Sequence, residues 1–385
     1  MIRKLFQIFL ETLNRFVPVT KDKVIFVPFP NTEPGSIRMA NFIVENYNDK
    51  KVYYVADIKY DVPEKLLNPK VNIIRRTSRL QREFLLNLFS AEYIFHSNGL
   101  ILNNLPSSQT VINLWHGLLY KNVGMLLGRG KLNARYTVGT SEASQIMFSK
   151  AFGVPQKDVT KSGYPRNDSL LKGKAEKEEI IQKLGLRKNY RKIILWMPTY
   201  RKSVVGDFRV DGTEVGNPFY IKNFDVQKFN SLLKEQDALC IVKPHPMAPI
   251  LPKDENVSNI LFVDNHWIYE KGLDLYEFVG ATDILISDVS SIIIDYMLLD
   301  QPIICISEDF EAYKNSRGFY FEDTESKIPT AVLKTSQDFF NALENLLVTG
   351  EDPYTDKRLA LKKFFFDHYD DKSTERLAHI VFGNK

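Results

Sequence analysis

Short apolar runs recur along the chain and alternate with stretches long enough to form helices. In the first half these runs are Lys23–Pro28, Val52–Val55, Val71–Ile74, Tyr93–His96, Val111–Trp115 and Tyr136–Gly139. In the second half they are Ile193–Pro198, Ala238–Pro244, Ile260–Val263, Ile284–Ser287 and Ile303–Ile306. Strands of a parallel sheet are covered on both faces, so they read as continuous apolar runs rather than alternating ones. The pattern predicts an α/β fold with parallel sheets.

A charged segment, KGKAEKEEIIQKLGLRKNYRK, separates the two series of runs. A chain of 385 residues is long for one hydrophobic core. We therefore predict two Rossmann-like domains, residues 21–172 and 173–350, facing each other across a cleft. Residues 1–20 are predicted as an amphipathic helix, and residues 351–385 as a helix that packs back on the first domain. Ligands of such domains bind at the carboxyl ends of the strands.

The N-terminal segment spaces apolar residues such as Leu5, Phe9 and Phe16 at roughly helical intervals among basic residues. Glu11 and Arg15 interrupt it before a secretory signal could form, and it is too short to span a bilayer. Two interpretations stay open. The segment is either an interfacial helix on an anionic membrane surface or a helix packed on its own domain.

Composition is that of a globular protein, with 44% hydrophobic and 25% charged residues. A net charge of +4 favours anionic substrates or lipid surfaces and is too small to indicate a nucleic-acid-binding protein. Cys240 and Cys305 each lie inside an apolar run, which is typical of reduced core cysteines. The sequence has no metal-binding spacing of His, Cys or carboxylates, and we expect neither a metal nor another cofactor.

The stretch Ile284–Pro302 predicts a buried strand, a polar turn and an apolar helix whose start carries Ser290 and Ser291. Unpaired backbone N–H groups and hydroxyls at such a helix start suit a phosphate. A capped turn without a ligand is the alternative.

Further polar residues follow the predicted strands. His116 comes after VINLW, where neighbouring Gly117 allows a close backbone approach and a neutral imidazole could serve as a base. The others at or near strand ends are Lys121, Arg166, Arg201, Lys243 and His245. Each is a weak signal alone. Together, they could compensate the charge on a transferred phosphoryl group.

The ordered motifs WHG, GYPRNDSLL, MPTYR, KPHP and SDVSS followed by DY and QP lie between Ile112 and Ile304. In this order they resemble the CDP-glycerol glycerophosphotransferase family of wall teichoic acid synthesis. That resemblance implies a GT-B fold. It also implies transfer of glycerol phosphate from CDP-glycerol to a hydroxyl of a lipid-linked saccharide, with release of CMP, by a peripheral protein at the cytoplasmic face of the membrane.

The chain length is similar to that of the primase-type members, which add the first unit to ManNAc-GlcNAc-diphospho-undecaprenol. A polymerising or capsule-polymer transferase, a sugar-nucleotide GT-B glycosyltransferase and a non-catalytic nucleotide-binding scaffold are the alternatives. No nucleic acid is expected as a partner.

The resemblance also implies residue roles. His116 would be the base for the acceptor hydroxyl, and His245 with Arg201 would contact the donor phosphates. Asp288, Ser290 and Ser291 would hold the donor, and Arg166 would lie near the cleft. Apart from the resemblance, Lys121 and Lys243 could supply positive charge from their positions at or near strand ends. The chain departs from the family pattern at Val289, Tyr200 and Lys243.

Overall fold

Two parallel sheets form the framework of the protein. The computed structural model describes residues 2–118, 120–128, 130–199, 219–244, 257–316 and 318–383. The strands of the first sheet are β1 Thr20–Val27, β2 Lys51–Asp57, β3 Asn72–Arg76, β4 Ala91–His96, β5 Thr110–Asn113, β6 Tyr136–Val138 and β7 Val159–Thr160. They pair in parallel in the order β3-β2-β1-β4-β5-β6-β7.

The second sheet repeats the plan. Its strands are β8 Lys192–Met197, β9 Ala238–Val242, β10 Ile260–Phe262, β11 Ile284–Ser287, β12 Ile303–Ile306 and β13 Val332–Leu333. They too pair in parallel, in the order β10-β9-β8-β11-β12-β13. Cys240 and Cys305 are buried within it, and neither forms a disulfide. The predicted α/β fold with two Rossmann-like domains is confirmed.

Helices cover both faces of the sheets. In the first domain they are α1 Ile2–Phe16, α2 Pro34–Asn46, α3 Arg82–Ser90, α4 Glu142–Phe152 and α5 Pro165–Ala175. Those that follow are α6 Lys177–Leu184, α7 Val226–Glu235, α8 Asn265–Glu270, α9 Leu275–Gly280, α10 Ile292–Tyr296, α11 Phe310–Ser316, α12 Ser336–Val348, α13 Thr355–Phe365 and α14 Ser373–Phe382.

Two features differ from the expectation. The strands β7 and β13 have two residues each, too few to produce a hydrophobic pattern. The C-terminal segment forms two helices, α13 and α14, instead of one, because the polar residues between them favour local turns. Asp370, for example, accepts the backbone N–H of Lys372.

The C-terminal helix returns to the first domain. The Phe382 ring of α14 lies 5.1 Å from the Tyr47 ring and 4.8 Å from the Tyr93 ring. At the other end of α14, the Asp168 carboxylate accepts the backbone N–H groups of Ser373 and Thr374. The C-terminal helix therefore packs on the first domain, against α2, β4 and α5.

The backbones of the two domains touch where α5 crosses α9. A Cβ atom on Gly173 would lie 2.2 Å from the Glu277 carbonyl oxygen, and one on Gly280 would lie 2.1 Å from that of Leu170. Only glycine leaves room for so close an approach. This crossing sets the distance between the domains near the cleft.

Candidate functional site

A cavity of about 250 Å³ lies between the two domains. The first domain contributes Thr32 and Glu33, which follow β1, and His116, which follows β5. The second domain contributes residues after β8, β9 and β11, among them Thr199, Lys243, Ser290 and Ser291. The cavity thus lies at the carboxyl ends of strands from both sheets, where this architecture places ligands.

His116 is the group in the cavity best suited to accept a proton. Its Nδ1 lies 2.8 Å from the backbone carbonyl oxygen of Ser97. A carbonyl oxygen only accepts, so Nδ1 carries the hydrogen and Nε2 is left with its lone pair. The residue is open to the cleft, but the surrounding protein displaces water and lowers the pKa of the imidazole, against the effect of the Ser97 bond. The ring is therefore neutral near pH 7.

The residues beside His116 restrain its position. Trp115 has φ of 54°, a left-handed conformation that is rare for a large side chain, and its ring stacks on the imidazole at 4.2 Å. Gly117 faces the other domain, where an added Cβ would lie 2.6 Å from the Ser291 hydroxyl oxygen. The WHG motif therefore forms a strained turn whose glycine allows the second domain to approach.

The turn between β11 and α10 brings two hydroxyls to the cavity. Ser291 occupies the N-cap position, but its side chain makes no capping hydrogen bond. Within the described residues, no hydrogen bond occupies the hydroxyl of Ser290 or of Ser291. The helix that follows is shorter than predicted, because after Tyr296 the chain tightens into a 3₁₀ turn. The hydroxyls are thus the main groups that this turn can offer to a ligand.

Asp288 lies beneath the turn rather than in the cavity. Its carboxylate accepts the backbone N–H of Thr199 at 3.1 Å and also the Thr199 hydroxyl. The carboxylate is buried and joins the end of β8 to the end of β11. Val289, the next residue, is fully buried in the core. Asp288 shapes the turn through Thr199, which itself lines the cavity.

Lys243 is a buried cation in the cavity wall. It follows β9 and is 3% exposed. Burial lowers the pKa of its ammonium group to about 8, and the nearby Asp264 carboxylate opposes that shift. In the described part of the chain it forms no ion pair. An anion in the cavity would supply the counter-charge that this ammonium group lacks there.

Arg166 forms the floor of the cavity. Its Nε donates to Asp295 Oδ2 at 3.1 Å, and Nη2 lies 3.1 Å from the same oxygen. The Tyr276 hydroxyl donates to that oxygen at 2.7 Å, and the Tyr164 ring lies 3.9 Å from the guanidinium carbon. Arg166 and Asp295 are 3% and 0% exposed. The pair joins α5 of the first domain to α10 of the second.

The family of the chain follows from a comparison with known proteins. The family model described as CDP-Glycerol:Poly(glycerophosphate) glycerophosphotransferase matches residues 9–383. The chain belongs to this family.

Individual relatives agree with that family. The teichoic acid ribitol-phosphate polymerase TarL of Staphylococcus aureus is 30% identical over 352 residues, which cover 85% of this chain and 58% of TarL. The teichoic acid glycerol-phosphate transferase of Staphylococcus aureus is 26% identical over 294 residues, 71% of each chain. This chain therefore spans less than two thirds of the length of TarL.

Among solved structures, the wall teichoic acid polymerase TagF superposes with a TM-score of 0.76 at 21% identity, covering 98% of this chain and 92% of the TagF chain. At that identity the likeness shows the fold alone. Together with the two facing parallel sheets, it confirms the predicted GT-B fold.

Two residues predicted for the site, Lys121 and Asp288, are not among those that line the cavity. Lys121 pairs with Phe319 in an antiparallel bridge, and its ammonium group lies 4.8 Å from the Tyr313 ring. It joins the first domain to the second at another point of their contact. Arg201 and His245 lie outside the described residues, so their assigned roles remain predictions.

Sequence patterns missed two groups of residues in this glycerophosphotransferase-family site. Glu33 is 3% exposed, caps α2 by accepting the N–H groups of Gly35 and Ser36, and lines the cavity. Pro34 at the first helical position was the available signal. Tyr276 and Asp295 complete the Arg166 contact, but nothing local in the sequence connects them with Arg166.

Replacing Asp295 with Asn should destabilise the protein by about 3–5 kcal/mol, because it leaves the Arg166 guanidinium buried without a counter-charge. Adding Arg166→Met to that variant should recover a large part of the loss, since no buried charge is then unpaired. Urea denaturation followed by circular dichroism measures the effect. The control is Glu179→Gln, which removes an exposed ion pair with Lys183 and should leave the free energy of unfolding almost unchanged, because solvent screens such pairs. If Asp295→Asn and Glu179→Gln lowered the free energy of unfolding by similar amounts, the structural role of the buried pair would be contradicted.

Proposed function

We propose that this protein transfers glycerol phosphate from CDP-glycerol to a hydroxyl of a membrane lipid-linked saccharide, releasing CMP, in wall teichoic acid synthesis. The observation that carries the proposal is the cavity between the domains. His116, Lys243, Ser290 and Ser291 all line this cavity. The imidazole of His116 is neutral, and its Nε2 carries a lone pair that can accept a proton. A base and anion-binding groups in one cavity are what a phosphoryl-linked transfer requires.

In the proposed reaction, the acceptor hydroxyl attacks the phosphorus atom that bears the glycerol. His116 Nε2 takes the hydroxyl proton as the new P–O bond forms. The bond from that phosphorus to the oxygen of the CMP group breaks, and CMP leaves with the electron pair. Positioning and charge compensation supply most of the catalysis in transfers of this kind.

The donor phosphates would lie against the second domain. Lys243 would compensate their charge, and Ser290 and Ser291 would donate hydrogen bonds to their oxygens. Asp288 would act on the donor by fixing Thr199 and the turn that carries the serines. We keep Arg201 and His245 as further contacts to the donor phosphates, on the strength of the family motifs alone.

Addition of the first unit to ManNAc-GlcNAc-diphospho-undecaprenol is the form of the reaction that we propose. A second candidate is transfer of ribitol phosphate from the corresponding CDP-ribitol. It is favoured by the 30% identity to TarL, a ribitol-phosphate polymerase. The two candidates share the chemistry and differ in the alditol.

Purified protein should release CMP when it is given CDP-glycerol and a synthetic lipid-linked ManNAc-GlcNAc acceptor, and mass spectrometry of the product should show one added glycerol phosphate. A parallel reaction with CDP-ribitol separates the two donors. His116→Ala should lower turnover by about 10²-fold or more, because the general base is lost. His368→Ala, at an exposed position outside the cavity, is the matched control.

Turnover retained in the His116→Ala variant would remove that residue from the role of base. Consumption of a UDP-sugar in place of either CDP-alditol would favour a glycosyltransferase. Binding of a cytidine nucleotide without CMP release from any acceptor would indicate a scaffold protein.

The pH dependence of kcat/KM should be bell-shaped. On the acid side, activity should fall only at pH values below the ordinary pKa of an imidazole, because the pKa of His116 is lowered and its ring is protonated only in more acidic solution. On the alkaline side it should fall above about pH 8, as Lys243 loses its charge. Lys243→Arg keeps the charge at all these pH values. This variant should lose the alkaline fall and keep the acid one. An unchanged alkaline fall would contradict the assignment to Lys243.

We also propose that the protein acts as a peripheral protein at the cytoplasmic face of the membrane, attached through α1. Leu10 and Asn14 hold α1 on the first domain, with Asn14 Nδ2 bonded to Gln109 Oε1 at 2.8 Å. The other face leaves Leu5, Phe9 and Phe16 exposed by 59%, 55% and 80%. Within the described ranges, no helix has the length and hydropathy of a membrane span. An apolar face with basic residues nearby suits an anionic membrane surface.

Replacing both Phe9 and Phe16 with Ser should weaken co-sedimentation with anionic vesicles by about tenfold for each ring, because burial of one such side chain contributes about 1.5–3 kcal/mol. The double variant Val348→Ser, Ile380→Ser removes exposed apolar side chains elsewhere and should bind like the unmodified protein. Equal binding by all three proteins would show that α1 serves only its own domain.

A further inference from the structure

A second cavity, of about 270 Å³, lies in the first domain at the carboxyl ends of its strands. We call it the β1–β4 pocket. Its walls come from residues 27–29 after β1, Arg76 and Arg79 at the end of β3, Phe84 on α3, and residues 98–101 after β4. Strand order reverses between β1 and β4, since β2 and β3 lie on one side and β5 on the other. Such a reversal opens a crevice in which α/β proteins bind ligands.

The charge in the β1–β4 pocket is positive. The Arg76 guanidinium lies 5.3 Å from the Phe84 ring, and its Nη2 is 3.5 Å from the Asp57 carboxylate. Its Nε is buried and has no hydrogen-bond partner. Arg79 is exposed and makes no ion pair within the part of the chain that the structure describes. The pocket is therefore lined by two guanidinium groups, of which that of Arg76 is near one carboxylate and has a buried donor to satisfy.

Apart from the two arginines, Asn98 and Gly99, the residues that line the pocket are apolar. Phe29, Phe84, Leu100 and Ile101 form much of its wall. Beyond it, α3 packs against α1, and Leu80 and Leu86 are exposed by 51% and 47%. A ligand with a phosphate group at one end and a hydrocarbon chain at the other would match this lining. Its phosphate would contact the arginines, and its hydrocarbon chain would contact the apolar side chains. Its chain would leave toward the apolar face of α1.

The β1–β4 pocket adjoins the catalytic cavity through Ser97. The Ser97 carbonyl oxygen is the partner of His116 Nδ1, at 2.8 Å, and its hydroxyl accepts the backbone N–H of Phe29 at 2.9 Å. Phe29 lines the pocket, while Pro30 lines the catalytic cavity. The two spaces therefore lie on either side of one short piece of backbone.

We propose that the β1–β4 pocket binds the diphosphate of the lipid-linked acceptor together with the first carbons of its lipid, and so directs the saccharide hydroxyl to His116. This inference rests on the proposed function and adds to it the place where the acceptor is held. Guanidinium groups bind phosphate oxygens in pairs of hydrogen bonds, which fixes the orientation of the ligand as well as its affinity.

Titration calorimetry with geranyl diphosphate, a short soluble probe, tests the pocket without turnover. The protein should bind this probe more tightly than it binds inorganic diphosphate or geraniol. Arg76→Gln and Arg79→Gln should each weaken binding by about tenfold, since hydrogen bonds to charged groups are involved. The control is Arg75→Gln. Arg75 precedes Arg76 on β3, pairs with Glu64 and has a side chain that is 56% exposed, and it does not line the pocket. This variant should bind the probe like the unmodified protein.

The same variants should raise the KM for the lipid-linked acceptor about tenfold and leave kcat and the KM for CDP-glycerol unchanged. Arg79→Gln breaks no ion pair of the described residues, so it tests the pocket even if Arg76→Gln is less stable. Melting temperatures establish that each variant is folded.

Three outcomes would overturn the proposal. Equal binding of inorganic diphosphate and geranyl diphosphate would indicate a site for free phosphate. Loss of binding to anionic vesicles with intact binding of the probe would place the arginines on membrane headgroups. Equal effects of Arg75→Gln and Arg79→Gln would indicate only general electrostatics. Absence of CMP release with every donor would instead overturn the proposed function, and the calorimetric result would still decide whether the pocket binds a lipid diphosphate.

Discussion

The buried ion pair between Arg166 and Asp295 is the contact on which the cleft depends. Both side chains are almost fully withdrawn from water, so each needs the other to offset the cost of desolvation. They belong to different domains, and the Tyr276 hydroxyl shares the same carboxylate oxygen. Any change in the relative position of the domains would separate these charges. The pair therefore favours one arrangement of the cleft over all others.

Close backbone contacts reinforce that arrangement. Gly173 and Gly280 let α5 and α9 touch, and Gly117 lets the turn after β5 approach Ser291. The motif that contains Arg166 also contains Asp168, which caps the returning helix α14. Much of what resembles a ligand-binding motif in the sequence thus holds the domains together. These contacts between the domains fix the positions of the groups that face the cavity.

The chemistry of the cleft follows from its solvation. The Ser97 carbonyl fixes the proton on His116 Nδ1, and exclusion of water keeps the ring neutral. The same exclusion of water lowers the pKa of Lys243 to about 8 while leaving it charged near neutrality. A neutral imidazole and a charged ammonium group can coexist near pH 7 because the pKa of His116 lies below that pH and the pKa of Lys243 lies above it. Ser97 also lies between the cavity that His116 lines and the β1–β4 pocket, because it contacts both His116 and Phe29.

The sequence by itself determined the sheets and much of the cavity wall. A parallel strand buried on both faces needs a continuous apolar run, and β11 and β12 have the predicted bounds for that reason. His116, Lys243, Ser290 and Ser291 could be placed because polar residues that follow such runs come to the edge where ligands bind. The family motifs predicted the chemistry of that edge before any contact was known.

Only the tertiary structure decided which partners these residues have. Arg166 meets Asp295, 129 positions away, and Asp288 meets Thr199, 89 positions away. Lys121, close to His116 in sequence, contacts Tyr313 instead of the cavity. Hydrophobic periodicity indicates which residues of a local segment are buried. It does not predict which distant segment of the chain will contact them. The contacts that join two domains therefore had to be read from the folded chain.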